Sequence, residues 1–243
     1  MSPASQGDAF PLTRHSVIAA AQSPDPQERE RALEAVITAY WRPVYKYVRL
    51  RWRQEREDAE DFTQEFFARL LQKEFLDSYD SAKGRLRTFL RTCVDRQFMN
   101  QLRDGRRQKR GSAAVHLSLD FEGAEHELAA ASGVASPEEY FEREWVRNLF
   151  TLAVERLRAH CRTAGKMTRF ALFERCDLGD ADARPSYADL AAEFNLTVTD
   201  VTNHLAFVRR EFRRSVLSQL RDMTGSEDEF QREAYSLLGV NPK

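Results

Sequence analysis

Apolar residues along this chain recur at spacings of three and four, never in sustained alternation, so the pattern predicts helices and no strands. From about residue 28 to 53, Leu33, Val36, Ile37, Tyr40, Trp41, Val44, Tyr47 and Val48 form one helical face, with Pro43 inside the run predicting a kink or restart. Residues 58 to 73 repeat the pattern through Ala59, Phe62, Phe66, Phe67, Leu70 and Leu71. "DSYDSAKGRLRTF" reads as a turn at Gly84 leading into a helix from about Thr88 to Lys109, apolar at Phe89, Leu90, Val94, Phe98 and Leu102. Ser136 before Pro137 and Glu138 has the form of a helix start, and Phe141, Trp145, Leu149, Leu152, Ala153 and Leu157 continue it as a core stripe. The terminal "EDEFQREAYSLLG" is amphipathic and is expected to pack back on the second domain or to hang free.

These elements predict an all-α chain of two small helical domains. The first spans 28–110 and the second 138–224, joined over 111–137 by "GSAAVHLSLDFEGAEHELAAASGVASP", an Ala/Gly/Ser-rich and weakly periodic stretch read as a flexible acidic linker. Residues 1–27 and 225–243 are left as an N-terminal extension and a C-terminal tail, the start "MSPASQGDAFPLTR" being read as loose. With 42% hydrophobic residues among 243, the chain can bury real cores. No apolar run is long enough for a membrane span or a signal peptide, so a cytoplasmic location without membrane contact is expected. Cys93, Cys161 and Cys176 form no CxxC pair, and adjacent His160 and Cys161 would point about 100° apart on a helix. No disulfide, metal or cofactor is expected.

Charge adds what periodicity does not. Net charge is only -1, yet residues 55–80 carry a local -6, residues 81–110 a local +8, and residues 111–142 hold seven acids with no Lys or Arg. A further basic group follows at Arg209, Arg210, Arg213 and Arg214. Alternating blocks on separate elements suggest two nucleic-acid-facing modules, an acidic connector between them, and an acidic face kept for protein.

"SYADLAAEFNLTVTDVTNHLAFVRREFRR", residues 186–214, is punctuated as a helix-turn-helix. Tyr187, Leu190, Ala191 and Phe194 face inward, Asn195 and Leu196 turn the chain, and Thr197 caps a second helix whose Val201, Leu205 and Val208 also face inward. Such a pair offers Thr199, Asp200, Thr202, Asn203 and His204 to the major groove, with Arg209, Arg210, Arg213 and Arg214 in reach of phosphates.

With "AYWRPVYKYVR", "DAEDFTQEFFARLL", "GRLRTFLRTCVDRQFMNQLRDGRRQKRG" and "SYADLAAEFNLTVTDVTNHL" in sequence, the chain from about Arg31 to Leu220 resembles the extracytoplasmic-function (group IV) sigma factors of bacterial RNA polymerase, a subfamily of the sigma-70 family. The resemblance implies a sigma factor that binds core polymerase at its β′ clamp helices and β flap, and that recognises and melts promoter DNA. It implies that Asp58, Glu60, Asp61, Gln64 and Glu65 dock on the polymerase. Phe89, Arg91, Arg96, Phe98, Asn100, Arg103, Arg106 and Arg107 would capture the minus-ten strand, where stacking planes and cations are both needed. Thr199, Asp200, Thr202, Asn203, His204, Arg209, Arg210 and Arg213 would read the minus-thirty-five duplex. The linker would thread the basic RNA exit path, and an anti-sigma factor or other regulator is a partner such proteins often have. Arg96 and Asn100 stand where the family commonly has Asn and Asp, and Thr202 and His204 where Lys and Arg are frequent.

Two other classes compete. A helix-turn-helix regulator acting without polymerase explains residues 186–214 but not the acidic second helix. An enzyme using Asp58, Asp61 and Glu65 to hold magnesium lacks a phosphate loop, a base and a substrate pocket, and acids in a first helical turn suit the helix dipole in any case. The chain is therefore read as no enzyme.

Overall fold

The computed structural model describes residues 17–72, 75–104, 117–129, 136–180 and 183–239, and among them there are helices and no strand. In chain order these are α1 Val17–Ala21, α2 Pro26–Trp52, α3 Arg56–Gln72, α4 Leu86–Asp104, α5 Phe121–Ala129, α6 Pro137–Thr163, α7 Met167–Phe173, α8 Tyr187–Glu193, α9 Val198–Asp222 and α10 Glu227–Leu238. A short 3-10 turn, Phe75–Ser78, precedes α4, and a π turn, Glu174–Leu178, follows α7. Local chemistry sets many of the starts. Asp25 accepts a hydrogen bond from Gln27 N (3.0 Å) with Pro26 next, and Ser136 accepts from Glu139 N (3.1 Å) with Pro137 next.

Helix α2 does not stop and restart at Pro43; it runs as one helix from Pro26 to Trp52. The reason lies on α6. Proline has no N–H to give the carbonyl of Ala39, and Asn148 supplies one instead, its Nδ2 donating to Ala39 O at 2.7 Å. The helix is thus completed by a side chain from more than a hundred residues away.

Two apolar cores result. The first gathers α1–α4, with Tyr40, Phe66, Phe67 and Leu90 buried; it also takes Trp145 from the first half of α6, Leu220 from the end of α9, and Phe230 from α10. The second packs the end of α6 with α7, α8 and the first half of α9 through Leu157, Phe170, Leu190, Val201 and Leu205. Phe212 sits at their junction, 6.2 Å from the ring of Phe150 and 5.1 Å from that of Phe173.

The acidic stretch is not extended where it is described. Residues 121–129 form α5, and its acids lie against cations of α2: Arg49 Nε is 2.7 Å from Glu125 Oε1, Arg42 is 2.9 Å from Glu127 and 3.0 Å from Asp120, and Lys46 is 2.6 Å from Glu127. Phe121 adds an apolar anchor, edge-on to Trp41 at 5.5 Å. The terminal segment does pack back, as α10, and reaches beyond the second half of the chain to the start of α4.

Candidate nucleic-acid and polymerase interfaces

On α3 the apolar stripe of Phe62, Phe66 and Leu70 faces the core and leaves the acids outside. They are not equivalent. Glu60 pairs with Arg56 at 2.6 Å, while Glu65 pairs with Arg69 at 2.6 Å and accepts from Gln101 at 2.7 Å. Gln64 is occupied by the chain itself: its amide donates to Leu117 O at 2.8 Å and accepts from Leu117 N at 2.9 Å, as a neighbouring strand would. Asp58 and Asp61, one turn apart and exposed, have no ion-pair partner among the described residues, and they form the open part of the acidic face.

Helix α4 divides its expected strand-binding residues between core and surface. Phe98 is buried, stacked flat on Trp52 at 3.9 Å with planes 9° apart, and Phe89 is half-buried with its ring 5.3 Å from Tyr79. Arg91 is half-buried and turned toward Glu142, 4.0 Å away. The outward face is Arg96, Asn100 and Arg103, at successive turns. Between them stand Met99 and Leu102, 45% and 59% exposed, so Leu102 is not the core residue its spacing predicts. An exposed pair of flexible apolar side chains among cations suits unpaired bases better than water does. Arg106 and Arg107 lie outside the described residues.

Residues 187–222 form two helices, α8 and α9, separated by a turn at Asn195 and Leu196. Asn195 takes the left-handed backbone of the turn (φ 51°), which asparagine tolerates, and small Ala191 is buried where α8 meets α9. Thr197 and Asp200 then cap α9 reciprocally: Thr197 Oγ1 accepts from Asp200 N at 3.1 Å, and Asp200 accepts from Thr197 N at 3.2 Å and from Thr197 Oγ1 at 2.6 Å. These bonds to Thr197 hold the Asp200 carboxyl below the usual range. Asp200, expected at the groove, is spent on starting the helix. Thr199, Thr202 and Asn203 are exposed and His204 is half-buried, so the face expected to read bases is largely open to solvent.

Arg209 and Arg210 differ in the same way. Arg209 grips Asp177 with two bonds, 2.8 and 2.9 Å, and Tyr187 with a third at 3.1 Å, tying α9 to the π turn and to α8. Arg210 and Arg213 are exposed. Arg210 lies 5.4 Å from the Phe207 ring, which also receives Lys166 at 4.6 Å and Arg169 at 4.4 Å. Sequence reading missed Lys166 and Arg169 because they stand alone in "GKMTRF", outside any basic run. Folding brings them beside α9 one turn beyond Asn203.

No group of His, Cys, Asp and Glu among the described residues is arranged to hold a metal ion, and no described helix is long and apolar enough to cross a membrane. Residues 36–108, from the middle of α2 past the end of α4, match the family model of sigma-70 region 2. No curated protein and no solved structure matches the chain. The region 2 match supports a sigma factor of the sigma-70 family, with a role in promoter recognition by RNA polymerase and with core polymerase and promoter DNA as partners.

Proposed function

We propose that the chain is a sigma factor of the extracytoplasmic-function type, a two-module initiation factor in which α3 and α4 serve as region 2 and the α8–α9 pair as region 4. One observation carries the reading: a region 2 match and a pair of capped helices, α8 and α9, with the sequence pattern of a helix-turn-helix occur on the same chain, joined by an acidic connector. In this reading the acidic face of α3 docks on polymerase, chiefly through Asp58 and Asp61. Arg96, Met99, Asn100, Leu102 and Arg103 hold the melted minus-ten strand, with Arg106 and Arg107 following in sequence. Thr199, Thr202, Asn203 and His204 read the minus-thirty-five duplex while Arg210 and Arg213 hold its phosphates. Asp200 and Arg209 position that helix rather than touch DNA.

The test is reconstitution. The purified chain is mixed with core polymerase and a promoter library, and promoter-dependent transcripts are sequenced. A sigma factor is sufficient for them, whereas a regulator that works without polymerase docking is not. Replacing Asp58 and Asp61 together by Lys removes no ion pair among the described residues, so melting should shift little. The two reversed charges should lower core-polymerase affinity by at least about a hundredfold, since like charges facing across an interface cost several kcal/mol. Normal core binding by this double variant would end the docking assignment.

A further inference from the structure

Helix α10 lies outside every surface the proposed function uses, yet it buries two carboxylates. Glu229 and Glu233 are 2% and 3% exposed. Glu229 accepts from Leu86 N at 3.1 Å, from Gly225 N at 2.9 Å and from Tyr79 Oη at 3.2 Å. Leu86 opens α4, and its amide is among those that no carbonyl within the helix can serve. Glu233 Oε1 is 3.1 Å from Arg85 Nη1 and 2.9 Å from Arg87 Nη1. Arg87 is held in turn by Glu142 at 2.5 Å and by stacking 4.3 Å over Trp145. A helix N-terminus flanked by two guanidinium groups, one of them rigidly packed, has the composition of a phosphate seat, and here two acids of the same chain fill it. Burying acids is a costly way to fasten a helix that Phe230 and Ala234 already anchor in the core.

We propose that α10 is an internal ligand of the start of α4: its carboxylates occupy an anion site made by Arg85, Arg87 and the Leu86 amide, and a nucleic-acid phosphate takes that site when α10 leaves. The inference rests on reading α4 as the strand-binding helix. Continuity supports the choice of ligand, because the same helix carries Arg96, Asn100 and Arg103 outward along its length. Gly225 sets how closely α10 can approach. A Cβ on it would lie 2.4 Å from Tyr79 Cε1, so any side chain at 225 must push α10 or the Tyr79 ring aside.

Two independent variants of the full chain open the seat. Glu229→Ala with Glu233→Ala removes both carboxylates and the acceptor of the Leu86 amide, and Gly225→Val wedges the junction while leaving both acids in place. Hydrogen exchange at the Leu86 amide reports release, and anisotropy of a labelled single-stranded oligonucleotide reports binding. Both variants are expected to deprotect Leu86 and to bind the strand roughly tenfold more tightly at low salt. Adding Arg85→Ala to either should cancel the gain and lower the salt slope by about 0.7, the single-strand value for one phosphate. A deprotected Leu86 with unchanged strand affinity, a gain that survives Arg85→Ala, or a Leu86 amide still protected in both variants would each overturn the proposal. Arg96→Ala with Arg103→Ala separates the layers. If strand binding ignores these two, the reading of α4 itself fails; if it depends on them but not on α10 and Arg85, only the internal ligand fails.

Discussion

Helices α5 and α10 are both acidic and both lie on the first core, but different forces hold them there. The acids of α5 meet Arg42, Lys46 and Arg49 in partly solvated pairs; Glu125 and Arg49 each keep 22% of their side chains exposed. Glu229 and Glu233 of α10 are withdrawn from water almost completely, beside a phenylalanine that is 3% exposed. The contrast reaches their carboxyl groups. Hydrogen bonding to Arg49 holds Glu125 below its ordinary value, whereas burial raises Glu229 despite the donors around it. An acidic helix on a basic surface is therefore not one kind of contact. One is held by mostly hydrated ion pairs around a single aromatic anchor, and the other is a packed junction with charge inside it.

The largest test of the contrast is truncation of an anchor on each side. Phe230→Ala should lower unfolding free energy by about 3–5 kcal/mol, the usual cost of removing a buried phenyl ring. Arg49→Ala should cost roughly 1 kcal/mol, because the pair it breaks is partly hydrated. Urea denaturation of both variants measures the difference, and equal losses would erase the distinction. A smaller effect comes from salt. Raising ionic strength from about 0.05 to 0.5 M should speed hydrogen exchange at Ala124 of α5 several-fold and leave Ala234 of α10 nearly unchanged, since buried pairs are screened far less than solvated ones. The smallest effect is one of sign with pH. A depressed Glu125 stabilises α5 docking above its unfolded value near 4.5, and that contribution is lost as pH falls through the lower folded value. A raised Glu229 acts oppositely: its contribution is complete in acid and is lost as pH rises above 4.5 through the folded value, with Tyr79 and Arg87 as the groups facing it. Amide exchange followed across this range should move in opposite directions at Ala124 and Ala234.

The same contrast explains what could be read from the sequence. Helix starts at Ser136 and Thr197 were legible because a cap and its partners lie within three residues. The α8–α9 pair and the turn between them were legible for the same reason. Helix α5 was not, because its nine residues are weakly periodic and its acids find their cations some eighty residues earlier. Pro43 left a restart of the helix open because Asn148, which serves the Ala39 carbonyl, stands 109 residues away from Ala39. Residue type also overstated the sites. A phenylalanine among arginines looks like a base-stacking plane, but Phe98 is paired with Trp52; an arginine after a recognition helix looks like a phosphate clamp, but Arg209 is already held by Asp177. Local spacing gave the right helical face for Arg96, Asn100 and Arg103, while the choice between partner and neighbour depended on contacts distant in sequence.

Helix α9 belongs to both cores, its early residues Val201 and Leu205 to one and its last turns at Val216 and Leu220 to the other. Its 25 residues make a strut of about 37 Å at 1.5 Å per residue. Tyr40 pins the far end, its hydroxyl donating to Met223 O at 2.6 Å. Asn203 therefore rides on a lever about 30 Å from that pin. A tilt of about 10° at the pin would swing Asn203 by roughly 5 Å, more than the rise of about 3.4 Å between successive bases. Under the proposed function, the base that Asn203 meets is thus geared to the seating of a single tyrosine at the opposite end of the helix.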